Sequence, residues 1–188
     1  MVKIVLASNS PRRKELLVGL GLAFEVRVQG GIDESYPEGL SAEEIPQFIS
    51  RQKAAAYTLA PDELLITADT IVYLDGHVFG KPRDAEEARW MLRRLSGRTH
   101  LVVTGVTLRT LEWQHTFSCT TRVTFASLSD EEIDYYVREC KPFDKAGAYG
   151  IQEWIGFVGV TGMEGSYFNV MGLPVQRLYT ELKNKSLI

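Results

Sequence analysis

The chain predicts an α/β fold built on a mixed sheet, and three observations predict it. An apolar strand, Lys3 to Ala7, runs directly into a capped helix, Pro11 to Leu20. Two long alternating stretches, His100–Leu111 and Trp113–Ala126, are joined by a tight turn and read as an antiparallel pair. Helix-start signals recur between strands: Ser41-x-x-Glu44, Asp84-x-x-Glu87 and Ser129-x-x-Glu132. Helices occurring together with antiparallel strands call for a mixed sheet.

The elements follow in order. Ser10 can cap the first helix, and Pro11 at its first position lacks an N–H that the helix would not use. Phe24–Val28 reads as a second strand, and Gln29 to Leu40, with three glycines, Pro37 and Asp33-Glu34, as a loop. A long helix is expected from the Ser41 box to about Leu59, with Pro46 kinking or restarting it. Leu64–Leu74 is a strand, turned by Asp75-Gly76 into His77–Phe79. Asp84 opens a helix to about Leu95. Ser129 opens another that places Ile133, Tyr136, Val137 and Cys140 on one face. The last third is rich in glycine and predicts short strands and ligand-contacting turns. Pro174 then opens a helix to about Lys183, followed by a loose tail, Asn184–Ile188. There is no internal repeat and no linker, so residues 1–188 read as one domain, or one domain with two lobes.

Composition narrows the function. Hydrophobic residues make up 45% and charged residues 24%, ordinary for a protein with a proper core. A net charge of −3 argues against a general nucleic-acid or anionic-membrane binder. A nucleotide ligand would have to find its cations in a local pocket. No apolar run reaches the length of a membrane helix and no signal-peptide layout opens the chain, so a soluble cytoplasmic protein is expected. Cys119 and Cys140 make neither a disulfide framework nor a metal cluster and read as packed free thiols.

Three clusters carry chemistry. Ser8, Ser10, Arg12 and Arg13 gather hydroxyls and guanidiniums at a helix start, a natural anion site suited to a polyphosphate. The same residues also fit a capped helix with solvated arginines. Asp33-Glu34 and Asp69 form an acidic set. Asp69 lies inside the apolar run Leu65–Val72, which is costly unless the carboxylate is paired, metal-bound or facing a cleft. Lys53, Lys81 and Lys145 are the third set, each also compatible with a solvated surface charge. Phosphoanhydride hydrolysis needs hard oxygens for a divalent metal, cations on the phosphates and a base to orient water. Asp69 and Glu34 can supply the first and last, and Arg13, Lys53 and Lys81 the second. His77, His100 and His115 have no ligand-type spacing, and neither a Walker loop nor a nucleophile elbow is present.

The ordered motifs resemble the Maf family of nucleotide pyrophosphatases. They are Leu6-Ala7-Ser8-Asn9-Ser10-Pro11-Arg12-Arg13, Asp33-Glu34, Lys53-Ala54, Ala68-Asp69-Thr70, Gly80-Lys81-Pro82, Leu95-Ser96-Gly97, Thr104-Gly105, the run Asp144 to Gln152, and the run Gly165 to Pro174. The resemblance implies a two-lobed, ITPase-like fold with a central mixed, twisted sheet flanked by helices and a cleft between lobes, often as a homodimer. It implies metal-dependent hydrolysis, with Mg²⁺ or Mn²⁺, of a nucleoside triphosphate to the monophosphate and pyrophosphate. The family's proton-accepting aspartate falls on Asp69, its phosphate positions on Ser8, Arg13, Lys53 and Lys81, and its metal positions on Glu34 and Asp69. The division of base and metal roles between Asp69 and Glu34 stays open.

Arg12, Thr70 and Gln152 occupy the positions that separate family branches, and they resemble the branch acting on dTTP and UTP. A sibling branch hydrolysing 7-methyl-GTP has Trp, Gln and Glu there. A Gln amide can accept from uracil N3–H while donating to a ring carbonyl, which a carboxylate cannot. The segment Glu153–Phe157 reads as cleft wall and core packing. The alternatives are an ITP or 7-methyl-GTP pyrophosphatase and a nucleotide-binding regulator of septum formation.

Overall fold

The structure is a computed structural model that describes residues 2–188. Its seven strands form one mixed sheet in the order β2-β1-β3-β5-β6-β7, with β4 paired to β3. The strands are β1 (Lys3–Leu6), β2 (Phe24–Val26), β3 (Glu63–Leu74), β4 (His77–Phe79), β5 (Thr99–Arg109), β6 (Gln114–Phe125) and β7 (Val160–Glu164). The helices are α1 (Pro11–Gly19), α2 (Glu44–Ala55), α3 (Ala85–Leu95), α4 (Asp130–Cys140), α5 (Trp154–Gly159), α6 (Tyr167–Met171) and α7 (Val175–Asn184). β1 runs parallel to both β2 and β3, as a strand returning through a helix must, whereas β4 and β7 pair antiparallel with β3 and β6. No helix among the described residues is long and apolar enough to cross a membrane.

The chain divides into two compact units. The first draws on residues up to Thr70, Thr104–Cys119 and Gly172–Ile188. Val5, Ala7, Ala54, Tyr57, Leu59 and Leu65 form a buried cluster in it. The seat of α2 is its tightest contact. A Cβ on Gly105 of β5 would lie 2.3 Å from the carbonyl carbon of Pro46 and 2.4 Å from the amide nitrogen of Gln47, so only glycine lets helix and strand approach this closely. Polar bonds then fix the helix. The Thr67 hydroxyl donates to Ser50 O at 2.7 Å, Ser50 Oγ and Thr107 Oγ1 lie 2.8 Å apart, and Gln47 Nε2 donates to Ser118 Oγ at 3.0 Å.

The second unit comprises Ile71–Val103 and Thr120–Met171. α3 buries Ala88, Met91, Leu92 and Leu95, and α4 buries Ile133, Tyr136 and Val137, both at helical spacing. These side chains join Val72, Phe79, Val102, Val123, Phe125 and Tyr149 in its core. His100 is buried in that core, with Nε2 2.6 Å from the Tyr149 hydroxyl. Desolvation holds the imidazole at about 4, well below its ordinary value.

The capping signals act as read: Asp84 and Ser129 accept from the backbone N–H groups of Glu87 and Glu132, and Glu132 returns the bond to complete a capping box. Other expectations change. The Ser41–Glu44 exchange of bonds exists, but regular helix begins at Glu44 and ends at Ala55 rather than near Leu59. Arg109 explains the early stop, since its guanidinium takes the carbonyls of Ala54 and Tyr57 at 2.5 and 3.2 Å. Pro46 falls in the first turn, where no intrahelical N–H is needed, so it does not kink the helix. The glycine-rich third holds one strand, β7, and otherwise short helical turns, including the 3-10 turn Ala146–Ala148. The tail is not loose throughout: the N–H groups of Lys185, Ser186 and Leu187 donate to Glu181, Lys183 and Leu182, with Ser186 at φ 52°.

Two outcomes follow. Gly105→Ala lowers the free energy of unfolding by about 1–3 kcal/mol, because the helix must lift from the strand, and urea titration measures it. His100 binds a proton more readily when unfolded, so stability is lost as pH falls from about 6.5 to about 4, by up to about 3 kcal/mol. Denaturation midpoints across that window show a steeper decline for the native chain than for His100→Gln, which keeps a partner for Tyr149 but does not titrate.

Candidate active site

β3 delivers Asp69 at a buried position in the first unit, and α2 delivers Lys53 to meet it. Pro46, Ser50 and Lys53 lie at i, i+4 and i+7, so the face that docks α2 also carries the lysine. Lys53 Nζ stands 2.8 Å from Asp69 Oδ1 and 3.1 Å from Glu34 Oε1. Asp69 and Lys53 are largely shielded, while Glu34 is 55% exposed on its loop. One ammonium thus gathers two carboxylates, which is how the apolar strand accommodates its aspartate. Asp33, beside Glu34, turns away to its own loop, accepting from Ser35 N–H and hydroxyl at 2.8 and 2.7 Å. Those bonds lower its pKa.

Arg13, in the first turn of α1, brackets Asp69. Its guanidinium donates to Ala68 O at 2.9 Å and to Thr70 Oγ1 at 3.0 Å, the residues on either side, and to Gly172 O at 2.8 Å. Three of the fork's five N–H donors are therefore used inside the protein, and two remain for an anion. Burial pulls the Arg13 pKa down; Asp69 and Glu34 oppose that shift, and the charge on Arg12 adds to it. Thr70, in turn, shares a 2.9 Å hydroxyl–hydroxyl bond with Thr104. Arg12 is half-buried one residue before Arg13.

At the helix start, the Ser10 N–H donates to Ser8 Oγ at 3.1 Å and the Arg13 N–H to Ser10 Oγ at 3.4 Å. Two of the backbone donors that the sequence offered to an anion are thus satisfied locally, and the cationic side chains carry more of any phosphate binding there.

Lys81 and Gln152 belong to the second unit. Lys81 is exposed, next to Gly80, whose carbonyl accepts from Gly147 N–H at 3.1 Å. Gln152 is half-buried in the turn Gly150–Glu153, and its Oε1 is buried without a hydrogen-bond partner. An orphaned acceptor costs free energy unless a ligand completes it. Sequence reasoning gave no role to Thr104, although the Thr104-Gly105 pair stood out. It also did not foresee the Gly172 carbonyl, for a backbone acceptor leaves no signature in residue type.

Among the described residues, no cluster of three or more His, Cys, Asp or Glu side chains is arranged to hold a metal alone. The Glu34 and Asp69 carboxylates converging on one cation nonetheless fit a hard divalent ion whose remaining oxygens come from substrate and water.

The family model described as Maf-like protein matches residues 3–185. The chain belongs to the Maf-like family. A relative from Phocaeicola vulgatus, named dTTP/UTP pyrophosphatase, is 68% identical over 96% of this chain and 95% of its own. Relatives of the same name from Porphyromonas gingivalis and Flavobacterium psychrophilum are 56% and 48% identical, each over 97% of this chain and 94% of theirs. Among solved structures, the Staphylococcus aureus Ham1 protein shares the fold. It aligns with a TM-score of 0.56 over 97% of this chain and 99% of that one, at 15% identity.

Arg13→Lys tests the bracket around Asp69. A lysine cannot fork to three acceptors, so unfolding free energy drops by about 2–3 kcal/mol, measured by urea titration at neutral pH.

Proposed function

We propose that this protein hydrolyses dTTP and UTP to the monophosphate and pyrophosphate, clearing such nucleotides or their modified forms from the pool. The Glu34–Lys53–Asp69 cluster carries the chemical part of this reading. The name shared by relatives 48–68% identical to nearly the whole chain supports the choice of substrate.

Water adds to the triphosphate and the α–β anhydride opens, releasing pyrophosphate. Asp69 Oδ1 is anchored on Lys53, which leaves Oδ2 to accept the proton that the attacking water gives up. Lys53 and the two uncommitted N–H groups of Arg13 face developing negative charge on phosphate oxygens, with Ser8 and Lys81 as further phosphate contacts. Glu34 and Asp69 would hold a divalent metal, Mg²⁺ or Mn²⁺, which supplies Lewis-acid stabilisation of that charge. Gln152 Oε1, lacking a partner in the protein, accepts from uracil or thymine N3–H. Cytosine offers no N3–H, and so loses this bond. Arg12 and Thr70 complete the base-selecting set, Thr70 through its hold on Arg13.

The test is pyrophosphate release from dTTP, UTP, CTP, ITP and 7-methyl-GTP with Mg²⁺ or Mn²⁺. The expected ranking places dTTP and UTP first; preferred turnover of a purine nucleotide overturns the substrate assignment. Asp69→Asn lowers the rate by about 10²–10⁴-fold with its melting transition retained, and full activity in that variant removes Asp69 from the mechanism.

A further inference from the structure

The residues flanking Gln152 are held by a single buried hydroxyl. Tyr136 lies on α4 with no exposed surface, and its OH donates to Glu153 Oε2 while accepting from Gly150 N–H at 3.0 Å. Gly150 and Glu153 are the two ends of the turn that contains Gln152, and the Glu153 N–H closes that turn on Gly150 O at 3.0 Å. The phenol therefore clamps both ends of a four-residue turn from below. The second oxygen of Glu153 is taken by Lys145 Nζ at 2.9 Å, and Lys145 also reaches Asp144 Oδ1 at 2.7 Å. Lys145 is itself buried. There is no slack: a Cβ on Gly150 would meet Lys145 Cε at 2.9 Å and Glu153 Cδ at 3.0 Å.

A buried Tyr–Glu–Lys network is expensive to assemble and must be fully satisfied to be tolerated. This one is satisfied, yet the residue inside its turn keeps a buried amide oxygen with no protein partner. The contrast is informative. Tyr136, Glu153 and Lys145 are spent on fixing the ends of the turn, while the Gln152 amide oxygen inside it has no protein partner.

We propose that Tyr136, acting through Glu153 and Gly150, is a positioning residue for base recognition, holding the Gln152 amide where a pyrimidine edge can meet it. The proposal rests on Gln152 reading the base. Tyr136 touches neither base nor phosphate in this scheme; it removes the freedom that Gln152 would otherwise lose on binding. Its loss therefore weakens discrimination more than it slows the chemical step.

The experiment compares kcat and KM for UTP and CTP in the native enzyme, Tyr136→Phe, Gln152→Ala and the double variant. In Tyr136→Phe the preference for UTP over CTP in kcat/KM is expected to fall about tenfold, mostly through a higher KM for UTP. Gln152→Ala removes the preference, and adding Tyr136→Phe to it lowers the preference no further. If Tyr136→Phe keeps the preference, or lowers UTP and CTP turnover equally, while Gln152→Ala loses it, the positioning role is overturned and base reading by Gln152 stands. An unchanged preference in Gln152→Ala overturns both. Should Tyr136→Phe fail to fold, Glu153→Gln replaces it. The amide keeps an oxygen for the phenol but loses the carboxylate shared with Lys145, so a partial drop in preference supports the role and none overturns it.

Discussion

The rest of the first unit depends on one close approach, the backbone of α2 resting on β5 at Gly105. With no side chain between them, the helix sits low enough for Ser50 to bond both Thr67 of β3 and Thr107 of β5, all three fully buried. Two turns beyond Pro46 on the same face, Lys53 arrives at Asp69. A larger residue at position 105 would lift the stripe and carry the ammonium with it. The Lys53–Asp69 geometry is thus set by a missing methyl group some way along the helix from the ion pair.

Charge is managed locally rather than by a field. The chain is mildly acidic, with a formal charge of −3, yet the cations bracketing Asp69 are concentrated on its immediate neighbours. Lys53 joins Asp69 to Glu34, and Arg13 binds the residues before and after it. Arg13 is a brace. Its bonds to the strand, to Thr70 and to the Gly172 carbonyl hold the first turn of α1 beside the carboxylate whether or not an anion is present. A group held in this way needs little reorganisation when charge changes beside it.

The second unit shows the same economy around a different residue. Tyr136, His100 and Tyr149 are buried polar aromatics, and the hydroxyl of each tyrosine has a partner. Burial raises the pKa of both phenols and lowers that of the imidazole, so these groups stay neutral near pH 7 and act as fixed hydrogen-bonding parts. Gln152 departs from this pattern, its acceptor buried and unanswered. A buried acceptor with no partner costs free energy, and in Gln152 it lies inside a turn that is otherwise tightly bonded.

Much of this was legible in the sequence because it is written in local chemistry. Capping residues, the Asp75-Gly76 turn, the alternation of β5 and β6 and the apolar faces of α3 and α4 each depend on neighbours a few positions apart. The family motifs likewise put Asp69, Lys53, Glu34 and Arg13 in view before any contact was known. What the sequence could not decide depends on partners far along the chain. The early end of α2 is due to Arg109, which lies 55 residues from the carbonyl it takes at Ala54. Arg13 became a brace because Gly172 O lies beside it, 159 residues away, and no residue type announces a backbone carbonyl. Sequence by itself determined most of the long elements and brought the acidic and basic groups around Asp69 into view. Only the tertiary structure decided which of them are bound to one another, because hydrogen-bond partners and close approaches are set by packing across the fold rather than by spacing along the chain.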